Sequence, residues 1–328
     1  MTDRNSNIEL LRIVAILFII AHHLLVHGLN LWSDNQLSNF PLLALDSAFF
    51  VGVNVFVLIS GYCGIQFRFK KLLYLYLMCA LVGGLCYLGH LYVDHAHIGR
   101  SIVYNTIFSI SNAPGTWYIQ SYIFLMLAAP LLNAGIETLN KKGHLCAIAA
   151  WTLISVYFGW WWQHDVNQDG YNLVNFIWLY IIGGYLKRYW NIHSLRPYTY
   201  LGVYAICSIV NAGFYVWSSG YFAWCYNNPF VVIASISLVL FFLSFDFQNK
   251  YVNILAQSTL GVYLIHENCY VSPHLYDNAV TTFYSTNVFC FVSAVSCIYF
   301  VCVIVDVLLR YLIANPIFSL TPPYIRKK

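Results

Sequence analysis

Glu9, Arg12 and His23 are the residues whose types and spacing promise chemistry, because all three fall in or at the edge of one apolar run, Ile8 to Leu29. An α-helix turns about 100° per residue, so the step from Arg12 to His23 closes about three turns with roughly 20° left over, and the two side chains share a face. Glu9 lies three residues before Arg12 and roughly 40° from the His23 direction. A charge inside bilayer hydrocarbon costs on the order of several kcal/mol, so ionisable residues this deep face a protein interior or a water-filled cavity and mark a functional path. A histidine held this deep is a candidate general base. His22 leaves the helix about 80° away and is the weaker candidate. Arg12 lies roughly 16 Å down the axis from His23, too far to touch it, and suits binding or a pairing with Glu9.

The elements that must position these groups are membrane spans. With 60% hydrophobic, 9% charged and 18% aromatic residues among 328, the composition is that of a polytopic membrane protein. Apolar runs of spanning length occur near residues 8–29, 45–65, 72–93, 117–135, 144–162, 173–190, 198–218, 228–245, 252–271 and 287–313, which predicts an all-α bundle of ten transmembrane helices. Of the 16 Lys and Arg residues, only Arg100 falls in an odd-numbered connection; the others lie at the N-terminus, the even-numbered connections or the C-terminus. That asymmetry places both termini in the cytoplasm and accounts for the net charge of +4 without any nucleic acid partner. The first run, with Arg12 near its start and no small-x-small site, is expected to stay as a signal anchor. No repeat, linker or low-complexity tract interrupts the chain, so residues 1–328 are expected to form a single domain. The 10 cysteines form no C-x-x-C pair and lie mostly within spans, where they pack as small apolar groups; Cys225 and Cys269, near the outer face, are close enough to that face to pair.

Several patterns carry less weight. There is no G-x-x-x-x-G-K-[ST] loop, G-x-G-x-x-G turn or G-x-S-x-G elbow, so ATP-driven transport, dinucleotide chemistry and a serine nucleophile lack sequence support. His164 and Asp169 form an H-x4-D pair, yet in a short outer loop, and Asp165, Asn167, Asp169 and Gly170 imitate half a calcium loop whose twelfth position is Phe176; a solvated polar loop is the expectation for both. His90, His95 and His97 cluster without ligands of recognised zinc spacing, so no metal is expected. Ser47, Asn54 and Gly61 recur every seven residues and put a stripe on one face suited to close packing, with Asn54 either bonding a neighbouring helix or lining the site. Pro130 and Pro316 are expected to bend or end their helices.

Taken together, the residues resemble the acyltransferase 3 family of integral-membrane O-acyltransferases. The family opens with approximately R-x4-[DE]-x-L-R and, after ten intervening residues, His; Arg4, Glu9, Leu11, Arg12 and His23 stand in those places. Similar segments are Phe49 to Tyr62 with Asn54, Ser60 and Gly61, then Thr116, Trp117 and Tyr118 leading to Pro130 and Asn133, then Ser258 to His266. Where the family often has R-x-x-R at the cytoplasmic start of the third helix, this chain has Arg68-Phe69-Lys70-Lys71, which keeps the charge but offers a point charge where arginine offers a planar fork.

The resemblance implies a multi-pass cell-membrane enzyme that moves an acyl group, usually acetyl, from cytoplasmic acyl-CoA to a hydroxyl of a glycan at the outer face. Acyl-CoA is then a co-substrate, with no bound cofactor. His23, Arg12 and Glu9 form the expected catalytic set, and Arg68 and Lys71 the expected cradle for the CoA phosphates. Asn54, Trp117, Tyr118, Tyr122 and His266 are expected to line the site. His266, about fourteen residues into the ninth run, is predicted at a depth similar to His23, some 20 Å in. Trp117, Tyr118 and Tyr122 suit stacking on a sugar, although an interfacial aromatic belt explains the first two equally well. An acyl-histidine intermediate is a second route. The competing class is a transporter or flippase for a glycan or lipid-linked precursor, which predicts repeats and broken helices in matching halves.

Overall fold

A computed structural model describes residues 5–32, 39–95, 117–218, 220, 222–276 and 288–311, and every regular element among them is helical. In chain order these are α1 (Ser6–His23, continuing as a π-helical turn Leu24–Gly28), α2 (Phe40–Phe49), α3 (Gly52–Cys63), α4 (Phe69–Val93), α5 (Trp117–Thr138) and α6 (Lys141–Thr152, continuing π-helically through Leu153–Trp161). There follow α7 (Leu173–Tyr189), α8 (Pro197–Ser218), α9 (Pro229–Leu243), α10 (Lys250–Leu255), α11 (Thr259–His266) and α12 (Val288–Leu309).

Seven of these segments are long and apolar enough to cross a membrane: Ser6–Gly28, Phe40–Cys63, Phe69–Val93, Trp117–Thr138, Lys141–Trp161, Pro197–Ser218 and Val288–Leu309. The other three expected runs also fold as helices, but shorter or broken ones: α7 has 17 residues, α9 has 15, and the run 252–271 is interrupted. The break has a local cause. At Ala256–Ser258 the helix tightens to a 3-10 turn, Thr259 Oγ1 donates back to the Ala256 carbonyl (3.0 Å), and Ser258 Oγ is engaged by Arg310; hydroxyl side chains that bond nearby backbone compete with the helical ladder. Pro130 sits inside α5, which continues past it to Thr138, while Pro316 lies outside the described residues. All 10 cysteines, Cys225 and Cys269 included, are thiols in this structure.

The chain divides into two compact units, Met1–Phe67 with Trp117–Asn253 and Arg68–Thr116 with Ile254–Lys328. In the first, α3 packs on α7, α8 on α9 and α2, and α1 on α3. Glycine sets the closest approaches. A Cβ on Gly61 would stand 2.2 Å from the Tyr180 carbonyl oxygen, and one on Gly52 would stand 2.8 Å from the Ala15 carbonyl oxygen and from Ile19 of α1. Only residues without a side chain allow backbones this close, which is the use expected of the Gly61 stripe.

Between α2 and α3 the helix is interrupted at Phe50 and Val51, and the Ala48 carbonyl accepts instead from the Tyr204 hydroxyl of α8 (2.8 Å). The foot of α1 is fixed by side chains. Asn5 caps it by accepting from the Asn7 amide, Asn7 bonds the backbone at Phe245 and Phe247, and Ser6 Oγ donates to Asn253 Oδ1 (2.9 Å). In the second unit α11 packs on α12 and α4, around a cavity of about 670 Å³ with an apolar lining capped by His90, Asp94 and His274.

Candidate active site

Three imidazoles sit in succession at the end of α1. His23 is half-buried, with its ring centroid 5.5 Å from that of His22 and 5.4 Å from that of His27 on the π-helical turn. Such turns inside α-helices recur at functional sites because the widened coil re-aims side chains. Lower on the helix, Arg12 Nη1 lies 3.0 Å from Glu9 Oε1, an ion pair in which the carboxylate is the more buried partner. Of the two roles expected for Arg12, its pairing with Glu9 is therefore realised.

His22 is the surprise. It is 6% exposed, and its Nδ1 lies 2.7 Å from Oδ1 of Asp46, which is fully buried on α2. The other Asp46 oxygen accepts from Trp32 Nε1 at 3.3 Å. Around the imidazole, Trp32, Phe50 and Trp224 stand at centroid distances of 5.5, 5.2 and 6.1 Å. A relay of amides holds α2 in place beside it: Asn228 donates to Asn211 Oδ1 (2.7 Å), and Asn211 donates to Ser47 Oγ (2.7 Å), one residue from Asp46. Asn228 also caps α9, with Pro229 at the first helical position where its missing N–H costs nothing.

Asn54 is buried and bonds a neighbouring loop through its amide nitrogen. Its amide donates to the Tyr226 carbonyl (2.8 Å), and the Tyr226 ring stacks on Phe50 at 4.4 Å. Trp117 meets Tyr171 (4.6 Å), Tyr226 (5.4 Å) and Phe176 (6.1 Å), so it belongs to an aromatic cluster continuous with Phe50. Tyr118 and Tyr122 stack on one another, 5.9 Å apart and 13° from parallel. Desolvation pushes the Tyr171 phenol well above its usual range, with the Cys225, Asp169 and Asp46 charges acting in the same direction. It stays a neutral hydroxyl.

The H-x4-D loop is structural. Asp169 Oδ1 accepts from the Tyr171 amide, its carbonyl accepts from the Tyr226 amide, and Asn227 ties the loop down through the Asn167 and Ser155 carbonyls. The residues that led to Asn133 also acquire a role. Asn133 donates to the Ile65 carbonyl (2.9 Å), Tyr180 donates to Asn133 Oδ1 (2.7 Å), and the Ile65 amide donates to the Tyr180 hydroxyl (2.8 Å), a closed ring that holds the chain leaving α3.

In the second unit, Arg68 is the extended residue that precedes α4, and it, Lys70 and Lys71 are exposed. Cations at a helix N-terminus oppose the helix dipole, while the free N–H groups there favour an anion. His266 is buried on α11 and its Nδ1 lies 2.6 Å from the Val262 carbonyl. A carbonyl only accepts, so Nδ1 carries the hydrogen and Nε2 is the basic nitrogen of the neutral ring. His90, expected in a solvated cluster with His95 and His97, pairs with Asp94 (2.6 Å), which also meets His274 Nε2 (3.1 Å); His97 lies outside the described residues. Hydrogen bonds from His274 and His90 hold the Asp94 carboxyl below its usual range. Neither Asp46 nor the Arg310–Asp306 pair of α12, 2.7 Å apart, entered the sequence-based site, although each carboxylate interrupts an apolar run, which is the signal that singled out Glu9.

An all-helical membrane protein with a histidine cluster and an ion pair on its first helix defines the class. The Acyltransferase domain family model matches residues 5–311, and the chain belongs to that family, acyltransferase 3. No curated protein and no solved structure matches it.

Proposed function

We propose that the protein is an O-acyltransferase of the cell membrane that passes an acyl group, acetyl first among them, from cytoplasmic acyl-CoA to a hydroxyl of an exported or surface glycan. The observation that carries this reading is the family match over 5–311 together with Arg12 and His23 on α1 within it. In this reading residues 1–328 form one domain, the ten apolar runs cross the bilayer, and both termini lie in the cytoplasm, as the basic residues require.

The CoA phosphates bind Arg68 and Lys71 at the start of α4, where three exposed cations and the helix N-terminus favour an anion. His23 takes the proton of the acceptor hydroxyl as its oxygen attacks the thioester carbonyl; the C–S bond breaks and the proton passes to the departing thiolate. Arg12, ordered by Glu9, guards the approach of the donor. Trp117, Tyr118 and Tyr122 supply aromatic faces for a sugar ring, Asn54 fixes the loop carrying Tyr226, and His266 is a further site-lining residue.

The test is transfer of radiolabel from acetyl-CoA to surface glycan in membranes that carry the chain. Incorporation that depends on the chain is expected. No incorporation from either acetyl-CoA or succinyl-CoA, with labelled glycan precursor crossing the membrane instead, would replace this reading by transport.

A further inference from the structure

We propose that His22 is a proton relay behind His23, and that Asp46 and Trp32 are the positioning residues that fix its tautomer. The inference rests on the acyl-transfer reading and on His23 as the base within it.

The carboxylate of Asp46 only accepts, so the 2.7 Å contact places the imidazole hydrogen on Nδ1 and leaves the lone pair of neutral His22 on Nε2. This is the arrangement by which a buried acid orients a histidine for proton transfer. Aromatic rings enclose His22, so it does not reach substrate and acts through its neighbour, whose ring lies 5.5 Å away centroid to centroid. The proton that His23 takes from the acceptor hydroxyl moves to His22 Nε2, is held there against the Asp46 carboxylate, and returns through His23 to the thiolate when the C–S bond breaks. No proton is gained or lost. Among the described residues, His22 meets Asp46 of α2, His23 of its own helix and the rings of Trp32, Phe50 and Trp224. A buried carboxylate among these rings is costly unless its charge is used, and an imidazole is the partner that can change charge during turnover.

Trp32 makes the inference testable. Its indole N–H can only donate, so in Asp46→Asn the amide oxygen is claimed by Trp32 and the NH2 group is turned towards His22 Nδ1. The variant nearly preserves shape but moves the His22 hydrogen to Nε2, abolishing the lone pair the relay needs. Removing the indole donor in Asp46→Asn with Trp32→Phe frees the amide to flip and restores the original tautomer.

The experiment reads nitrogen-15 NMR of labelled histidine in the full chain, beside kcat and KM for acetyl-CoA. Wild type is expected to show His22 as the Nδ1–H tautomer. Asp46→Asn is expected to show the inverted tautomer and to lose about 10²-fold in kcat at unchanged KM, with part of both restored in the double variant. An inverted tautomer with undiminished kcat would overturn the relay while leaving His23 as base, and so would an Nε2–H tautomer in wild type. If wild type transfers no label from acetyl-CoA or succinyl-CoA, the acyl-transfer reading itself fails and the relay falls with it.

Discussion

Each of the two compact units buries a carboxylate in an apolar helix, and the two are neutralised by different means. In the first, Asp46 is fully buried and faces His22 and the indole of Trp32. In the second, Asp306 is 2% exposed and lies 2.7 Å from Arg310, whose Nη2 also donates to Ser258 Oγ at 2.7 Å. A guanidinium stays protonated at any accessible pH, so the second pair is a fixed fastener between the end of α12 and the break before α11. In the first pair Asp46 faces ring nitrogens of His22 and Trp32, with no guanidinium among its contacts in the described residues. Gly261 shows how tightly the fastener is built: a Cβ there would stand 2.0 Å from Asp306 Oδ1. The lesson is that burial of an acid does not define its role; the chemistry of its partner does.

The comparison breaks most visibly at Asp306. Asp306→Ala leaves a largely buried guanidinium uncompensated, and is expected to cost about 3–5 kcal/mol in denaturant unfolding of the detergent-solubilised protein. Replacing both partners by apolar residues of similar size should return much of that loss. A single variant as stable as wild type would show that the pair is no fastener. Asp46→Asn, by contrast, should leave stability within about 1–2 kcal/mol of wild type, since its hydrogen bonds have replacements; its effect belongs to turnover.

The next effect in size concerns the donor. Arg68→Ala and Lys71→Ala are each expected to raise KM for acyl-CoA about tenfold with kcat unchanged, the signature of binding lost equally from ground and transition states. Added salt should weaken binding to wild type more than to either variant, because exposed charges are screened. A fall in kcat at constant KM would move these residues out of the donor site.

The smallest effect is predicted at Asp94. Its carboxyl is held low by His274 and His90, so its contribution is complete above the ordinary carboxylate range and disappears only as the pH falls through the depressed value. Because the group is exposed, Asp94→Asn should leave the thermal midpoint at neutral pH unchanged within error. A clear drop would mean that the loop pairing does more than a solvated contact can.

Sequence alone carried the helical class, seven of the ten expected spans and the Glu9–Arg12 pair on α1, because hydrocarbon burial leaves an unmistakable composition and a helix keeps a fixed angular step. It gave the close packing of Gly61 through the spacing of small residues. What it did not carry were contacts made across the fold. His22 was turned away from the His23 face by simple geometry, and nothing local shows that Asp46, 24 residues on, would be held against it by the interruption of α2 and the Asn211–Ser47 bond. The heptad spacing of Asn54 is compatible with a neighbour or a site, and its bond to the Tyr226 carbonyl comes from a segment 172 residues away. The ninth run read as one span because hydropathy is blind to the hydroxyl contacts of Ser258 and Thr259 that split it.

The most direct test of the central claim compares His23→Ala with wild type at matched expression, reading radiolabel passed from acetyl-CoA to surface glycan. The account predicts transfer by wild type and its disappearance in the variant. Equal transfer by both would contradict His23 as the base and, with it, the relay built behind it.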